Sequence, residues 1–526
     1  MRLASFEVHS SPSTSHDIGW FEAWDAPATG RDASGEGSTH SAERWERNDL
    51  LLRLAVALQA PPRLFTDEDG PLRWHAPLAP YQCHGVETLL TRRQVLLADD
   101  MGLGKTVQAS AALRILYFRE GIKCALVVCP ASLVHQWLSE LRVWAPELIV
   151  IPVSGTPVER SRLWRMPAHV HLVGYETLRG DVLDLHNSPV LRKRWDVVLL
   201  DEASRIKNRD SGVSQACKRI PRDRRWALTG TPLENSTEDL VSLLDFLLGE
   251  PGETTSHHRA TDIRSTLKTL QLRRKKNEVL PDLPPLRIEE LTLELGPRQR
   301  EAYDRAEREG TLRLRQYGPS LTITHVLELI SRLKQICNAE PVTGESAKMQ
   351  DILARLATLV TEGHRALIFS QFIDDVFGVD MIARVLRVFH PLTFTGAMSA
   401  KQRRETLRVF RSDPRHKAMI LSLRAGGVGL NLQSASYVFH MDRWWNPAIE
   451  DQAEGRAHRL GQPYPVTAFR YVCADTIEER IESILRDKRH LFKQFVDDVT
   501  LDLKTMLTAD EMFGLFGLPV PHKTRP

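Results

Sequence analysis

Leu96–Thr106 reads LLADDMGLGKT, an apolar run that breaks into a glycine-bearing turn and ends on Gly104, Lys105 and Thr106. The next residues, VQASAALRIL, carry a helical pattern. Strand, turn and helix in this order form a phosphate loop in its required context. Gly102 and Gly104 let backbone N–H groups approach phosphates closely. Lys105 supplies a point charge to the outer phosphates, and the Thr106 hydroxyl suits Mg2+. ATP and Mg2+ are therefore the expected cofactors. The strict pattern places Gly where this chain has Asp99.

Outward from the loop, short apolar runs alternate with helical patterns. QVLLADD, CALVVCP, VHLVGYE, DVVLLDE and RWALTG lie before residue 231. RALIFSQF, PLTFTG, KAMILS, SYVFHMD and VTAFRYV lie after residue 364. Runs of this length, apolar on both faces, predict buried parallel strands with functional loops at their C-terminal ends. Two α/β lobes in tandem follow. The expected boundaries are a poorly ordered leader over 1–45 and a first lobe with an N-terminal helix over 46–250. A helical insertion and linker over 251–345, a second lobe over 346–500 and a tail over 501–526 complete the chain.

The length of 526 residues exceeds one compact core. A net charge of +3 announces no nucleic acid, so any basic surface is local. The six cysteines form no C-x-x-C pair, which argues against a zinc module, and a disulfide framework does not suit so large a chain. No apolar run reaches the roughly 18 residues of a membrane helix, and MRLASFEVHSS lacks the apolar stretch of a signal peptide. The expected location is cytoplasmic and nucleoid-associated in a prokaryote, or nuclear in a eukaryote.

DVVLLDE ends in Asp201 and Glu202 at the tip of a buried strand. Beside a phosphate loop, Asp201 can hold Mg2+ and Glu202 can orient and deprotonate the attacking water. In DQAEGRAHRLGQ, Gln452, Arg456 and Arg459 stand at i, i+4 and i+7 and share a helical face. Taken alone, such a segment is more often a solvated face. Aimed across a cleft at a nucleotide, the two arginines would stabilise transition-state charge.

These residues carry a resemblance. The chain resembles the Swi/Snf-related ATPases of helicase superfamily two, in order from about Leu78 to Asp498. LAPYQCHGVETLL is similar to the family's adenine-reading segment, with Gln82 in the key place. LADDMGLGKT matches motif I, which assigns Asp100, Met101 and Leu103 to the nucleotide alongside the residues above. CPASLVHQW, DEASRIKN and LTGTPLEN resemble motifs Ia, II and III. LRRKKNEVLPDLPPL and LKQICNAE resemble signatures between the lobes, and IFSQF resembles motif IV. LSLRAGGVGLNLQSASYVFHMDRWWNP, which contributes Gly429 to the nucleotide set, resembles motif V, and QAEGRAHRLGQ motif VI. The family's second motif ends in His, where this chain has Ser204.

The resemblance implies two RecA-like lobes with ATP between them, double-stranded DNA across both, and tracking without strand separation. A strand-separating helicase, or a DNA-binding scaffold with negligible turnover, would share most of these motifs. The expected DNA contacts are small polar groups and one arginine at strand ends: Ser132, Thr229, Gly230, Gln371, Thr395, Ser422 and Arg424. Trp444 is a further contact, with Trp445 beside it. Basic runs at Arg192–Arg194, Lys218–Arg225, Arg273–Lys276 and Arg403–Lys417 are weaker candidates, because a charge run is usually a solvated face. No base-reading module is visible. A protein partner supplying targeting fits this lack, and no membrane association is expected.

Overall fold

The computed structural model describes residues 72, 74–185, 188–230, 237–249, 266–423, 430, 432–444, 447–493 and 508–518. The expected leader, the N-terminal helix expected at the start of the first lobe, Arg424, Gly429 and Trp445 lie outside them.

Two parallel sheets organise the chain. The first contains β1 (Gln94–Leu97), β2 (Ala125–Cys129), β3 (Val150–Val153), β4 (Val170–Gly174), β5 (Trp195–Asp201), β6 (Arg222–Leu228) and β7 (Gln271–Leu272). Their spatial order is β3-β4-β2-β5-β6-β1-β7. Central strands carry apolar side chains on both faces because each face packs against crossover helices. One core gathers Leu96, Val128, Val198 and Leu200, and the opposite one Val95, Leu97, Val127 and Leu199.

The second sheet contains β8 (Leu286–Leu293), β9 (Ala366–Ser370), β10 (Leu392–Phe394), β11 (Ala418–Ser422), β12 (Tyr437–His440) and β13 (Val466–Cys473). Its order is β10-β11-β9-β12-β13-β8, again all parallel. Every strand anticipated from an apolar run is present.

Residues 251–345, expected to be mainly helical, also supply a strand to each sheet. β7 pairs with β1 in the first, and β8 pairs along its whole length with β13 in the second. β8 is an edge strand whose sequence, LRIEELTL, interleaves charge with apolar residues and leaves much of it exposed. It therefore lacks the continuous apolar run that marks a buried strand. The helical part consists of Pro297–Gln316 and Ile323–Asn338, which pack through Tyr303, Val326, Ile330 and Leu333 against Ile477 and Ile481.

Candidate functional site: a cleft between two lobes

The phosphate loop hangs between the C-terminal end of β1 and the helix Lys105–Glu120. Gly104 caps that helix at φ +74 and Gly102 stands at φ +92, both in the left-handed region. A Cβ on Gly104 would lie 2.6 Å from Gln82 Nε2, so glycine lets the Gln82 amide touch the loop. Gln82 is buried; it accepts from Ala79 N–H at 3.0 Å and donates to the Leu103 carbonyl at 3.4 Å. Lys105 folds back to donate to the Asp99 carbonyl at 2.6 Å and the Asp100 carbonyl at 3.2 Å. Burial pulls its pKa down, while Glu202, Asp99, Asp201 and Asp100 oppose that shift.

Behind the loop, Asp99 meets Arg274, whose Nε donates to Asp99 Oδ1 at 2.8 Å. The same guanidinium bonds Asp99 Oδ2 and the Tyr81 carbonyl, and reaches Gln108 Oε1 at 2.9 Å. Arg274 thus pins the segment bearing Gln82 to the loop.

Asp201 closes β5 and Glu202 follows at φ +53. A non-glycine residue in that region is held at a cost of about 1–3 kcal/mol. Asp201 Oδ2 accepts from the Trp137 indole at 2.7 Å, and Oδ1 from Glu202 N–H at 3.0 Å. Tyr175 donates its hydroxyl to the Asp201 carbonyl at 2.8 Å. Burial, then the Glu202 charge, push the Asp201 pKa up to about 6, against Trp137 and Lys105.

The second lobe closes over this surface. A Cβ built on Gly102 would lie 2.8 Å from the Arg459 Cβ and 3.5 Å from Lys276 Cε. One built on Gly455 would lie 3.6 Å from Met101 Cβ. Arg456 is buried, and desolvation pushes its pKa down to about 10; Glu202 and Asp201 act on it in the opposite sense. Asp201 and Glu202 of one lobe and this arginine of the other therefore share one electrostatic environment. Gln452 lies half-buried on the helix Pro447–Glu454, which ends before Arg456 and Arg459; the shared helical face expected from their spacing does not form, and both arginines stand in the turns that follow.

Lys276, from the connection between the sheets, joins the two sides. Its backbone N–H donates to Asp100 Oδ2 at 2.9 Å, and its Nζ to the His458 carbonyl at 2.7 Å. Burial pushes its pKa down to about 8, and Lys105, Arg459 and Arg456 add to the shift while Asp100 resists it.

A carboxylate and a hydroxyl are hard oxygen donors of the type Mg2+ takes. Asp201, buried at the loop's edge beside Lys105, and Thr106, on the first turn of the helix, fit that ion. A second cluster, Cys337, Cys473 and Glu478, is fully buried among the described residues. There the Lys348 ammonium donates to Glu478 at 2.7 Å and already neutralises it.

The residues expected on DNA divide. Ser132 is exposed in the turn Ala131–Leu133, and Gln371 is half-buried after β9. Thr395 follows β10 and Ser422 ends β11, both largely buried; Trp444 is half-buried, and its backbone N–H donates to Glu450 Oε1 at 2.7 Å. Thr229 is 1% exposed, and a Cβ on Gly230 would lie 2.4 Å from Met101 Cγ and 3.3 Å from Lys105 Nζ. Gly230 thus stands beside the phosphate loop and is half-buried, and Thr229 before it is buried. Much of the basic charge is engaged locally: Arg194 with Asp223, Lys218 with Asp245, Arg224 with Glu120, and Arg415 with Asp413.

Sequence reasoning missed Trp137, Arg274 and Lys276 as site residues. Each lay inside a quoted motif, yet its partner is remote in the chain: Asp201 for Trp137, Asp99 for Arg274, His458 for Lys276.

A phosphate loop and an acidic pair on one parallel-sheet lobe, faced by the buried Arg456 and half-buried Arg459 of a second, define a two-lobed helicase-type ATPase. Residues 81–342 match the SNF2-related domain, and residues 347–461 the helicase conserved C-terminal domain. The chain belongs to the Swi/Snf-related ATP-dependent helicase family. It is 33% identical over 443 residues to an uncharacterized ATP-dependent helicase of Mycoplasma pneumoniae, covering 80% of this chain and 42% of that protein. It is 32% identical over 447 residues to the human SWI/SNF-related matrix-associated actin-dependent regulator of chromatin subfamily A member 1, covering 77% and 42%. The chain thus spans about two fifths of the length of these relatives. Among solved structures it is similar to the Sulfolobus solfataricus SWI2/SNF2 ATPase core in complex with dsDNA. That match has 28% identity and a TM-score of 0.39, and covers 86% of this chain and 99% of that one.

Proposed function

We propose that this chain is a DNA-stimulated ATPase that translocates on double-stranded DNA and displaces or remodels bound protein. One observation carries the reading: Arg456 of the second lobe is buried in the field of Asp201 and Glu202 of the first. Hydrolysis at such a site depends on lobe closure, and a polymer that binds both lobes favours closure by binding the closed form better. Gln82 reads adenine. Lys105 and the N–H groups of Asp100, Met101, Gly102, Leu103 and Gly104 hold phosphates. Asp201 and Thr106 would hold Mg2+, which when bound would supply charge neutralisation. Glu202 takes the proton of the attacking water, and Arg456 and Arg459 stabilise the developing charge. Gly429 and Gln452 complete the nucleotide set. Ser132, Gln371, Thr395, Ser422, Arg424 and Trp444 contact the DNA backbone.

The test is ATP turnover against salt with duplex DNA, single-stranded DNA and RNA. Duplex should stimulate most, with a steep fall as salt rises, because the contacts are to phosphates. Equal stimulation by RNA overturns the reading. A strand-displacement assay separates tracking from unwinding.

A further inference from the structure

The helix Val134–Trp144 connects two places that the proposed function keeps apart. Its leading turn, Ala131–Leu133, presents Ser132 to solvent. One turn later His135 Nε2 meets Arg404 NH1 of the second lobe at 3.3 Å. Two residues further, Trp137 is fully buried and gives its indole N–H to Asp201 Oδ2 at 2.7 Å. A second route runs beside it. A Cβ on Gly174 would sit 3.4 Å from the Ala131 Cβ, so the leading turn packs directly on the end of β4. The next residue, Tyr175, bonds the Asp201 carbonyl at 2.8 Å.

A buried indole N–H needs an acceptor, and a carboxylate oxygen held by one is oriented by it. Two close-packed contacts thus fix Asp201 to the element that carries Ser132 and His135. Interiors at native density transmit a small displacement of such a helix instead of absorbing it.

We propose that Trp137 is a positioning residue that ties occupancy of the Ser132 turn by duplex DNA to the orientation of the Asp201 carboxylate. This rests on the DNA reading above. It also gives coupling a route that does not pass through Ser204, where the family's second motif has His.

The experiment measures binding, not turnover: the affinity for a fluorescent ATP analogue with Mg2+, in the absence and presence of duplex DNA. Coupling between two ligands is reciprocal and commonly about 5–150-fold. The wild type should bind nucleotide on the order of tenfold more tightly with DNA. Trp137→Phe keeps an aromatic ring and removes the donor. It should bring that factor close to one with nucleotide-free DNA affinity kept; the smaller ring and the unpaired Asp201 oxygen lower the melting midpoint, and a retained cooperative transition shows that the chain is folded. Trp137→His returns a ring N–H and should restore part of the factor. A folded Trp137→Phe chain with the wild-type factor overturns the proposal. Equal loss in Phe and His variants also overturns it, because packing alone then explains the effect. If the wild type itself shows no DNA effect on nucleotide affinity, and DNA does not stimulate turnover, the function reading fails first. If DNA stimulates turnover but leaves nucleotide affinity unchanged, the function stands and the Trp137 coupling falls.

Discussion

Arg274 and Asp99 form a two-point ion pair behind the phosphate loop, although 175 positions separate them in sequence. Asp99 is wholly buried and the Arg274 side chain is 10% exposed. The strict loop pattern has glycine at this place. Here the carboxylate anchors the stretch that joins the sheets and, through the Tyr81 carbonyl, the segment bearing Gln82.

Breaking a buried pair by removing one partner costs about 3–5 kcal/mol, because the other charge stays buried and uncompensated. Asp99→Ala and Arg274→Ala should each destabilise the first lobe by about 3 kcal/mol. The double variant should lose less than the sum. Chemical denaturation of all three chains checks this, and strict additivity would show that the pair is not coupled.

Glu202→Gln should bind ATP and DNA as the parent does but lose hydrolysis, since an amide cannot take a proton from water. Arg456→Ala should bind ATP almost normally and turn it over about a thousandfold more slowly even with DNA. Arg459→Ala should behave similarly. Full DNA-stimulated turnover in a folded Arg456→Ala chain would mean that this arginine acts only as packing.

Gln82→Ala should weaken ATP binding more than DNA binding. The amide can donate and accept along the adenine edge, and its contacts with Ala79 N–H and the Leu103 carbonyl fix its orientation beside the loop. The wild type should prefer ATP over GTP, and the variant should lose that preference. Equal use of both nucleotides by the wild type removes the adenine-reading role.

Lys276 gives a pH dependence. Its pKa is about 8 in the folded chain, against about 10.4 for an unperturbed lysine. The folded chain sheds this proton first, so one positive charge beside the phosphate loop disappears as pH rises through 8. ATP affinity should weaken several-fold between about pH 7 and 9, and Lys276→Arg should flatten that limb. Because the unfolded chain binds more protons between the two pKa values, this residue makes stability rise from about pH 8 to 10.4. Nucleotide titrations at fixed ionic strength check the first expectation and denaturation across pH the second.

The alternation of apolar runs was enough to read both sheets, because central parallel strands are apolar on both faces. β3 was missed: it is a four-residue edge strand with Pro152 inside it. β7 is too short to carry a pattern, and β8 wears the charges of an edge. In the site, the juxtaposition of Lys105 with Asp201 and Glu202 follows from local strand-to-loop context, whereas the helical face expected for Arg456 and Arg459 does not form because the helix ends at Glu454. Trp137 carried no local signal of its own, since its partner Asp201 lies 64 positions away. Gly230, expected on DNA, lies against Met101 and Lys105 of the phosphate loop; residues at a strand end can face the nucleotide side or the outside, and spacing alone does not choose.

The connection between β7 and β8 limits how the molecule can move. Arg274 and Lys276 are fastened to the first lobe through Asp99 and Asp100. Pro284 is fastened to the second, where its carbonyl meets His458 Nε2 at 2.8 Å, and the Pro285 carbonyl accepts from Val466 N–H at 3.1 Å. Between the helix that ends at Val279 and Pro284 only Leu280, Pro281, Asp282 and Leu283 remain. Four extended residues span about 14 Å. A leash that short, stiffened by proline, sets an upper limit on how far the two sheets can part while both anchors hold.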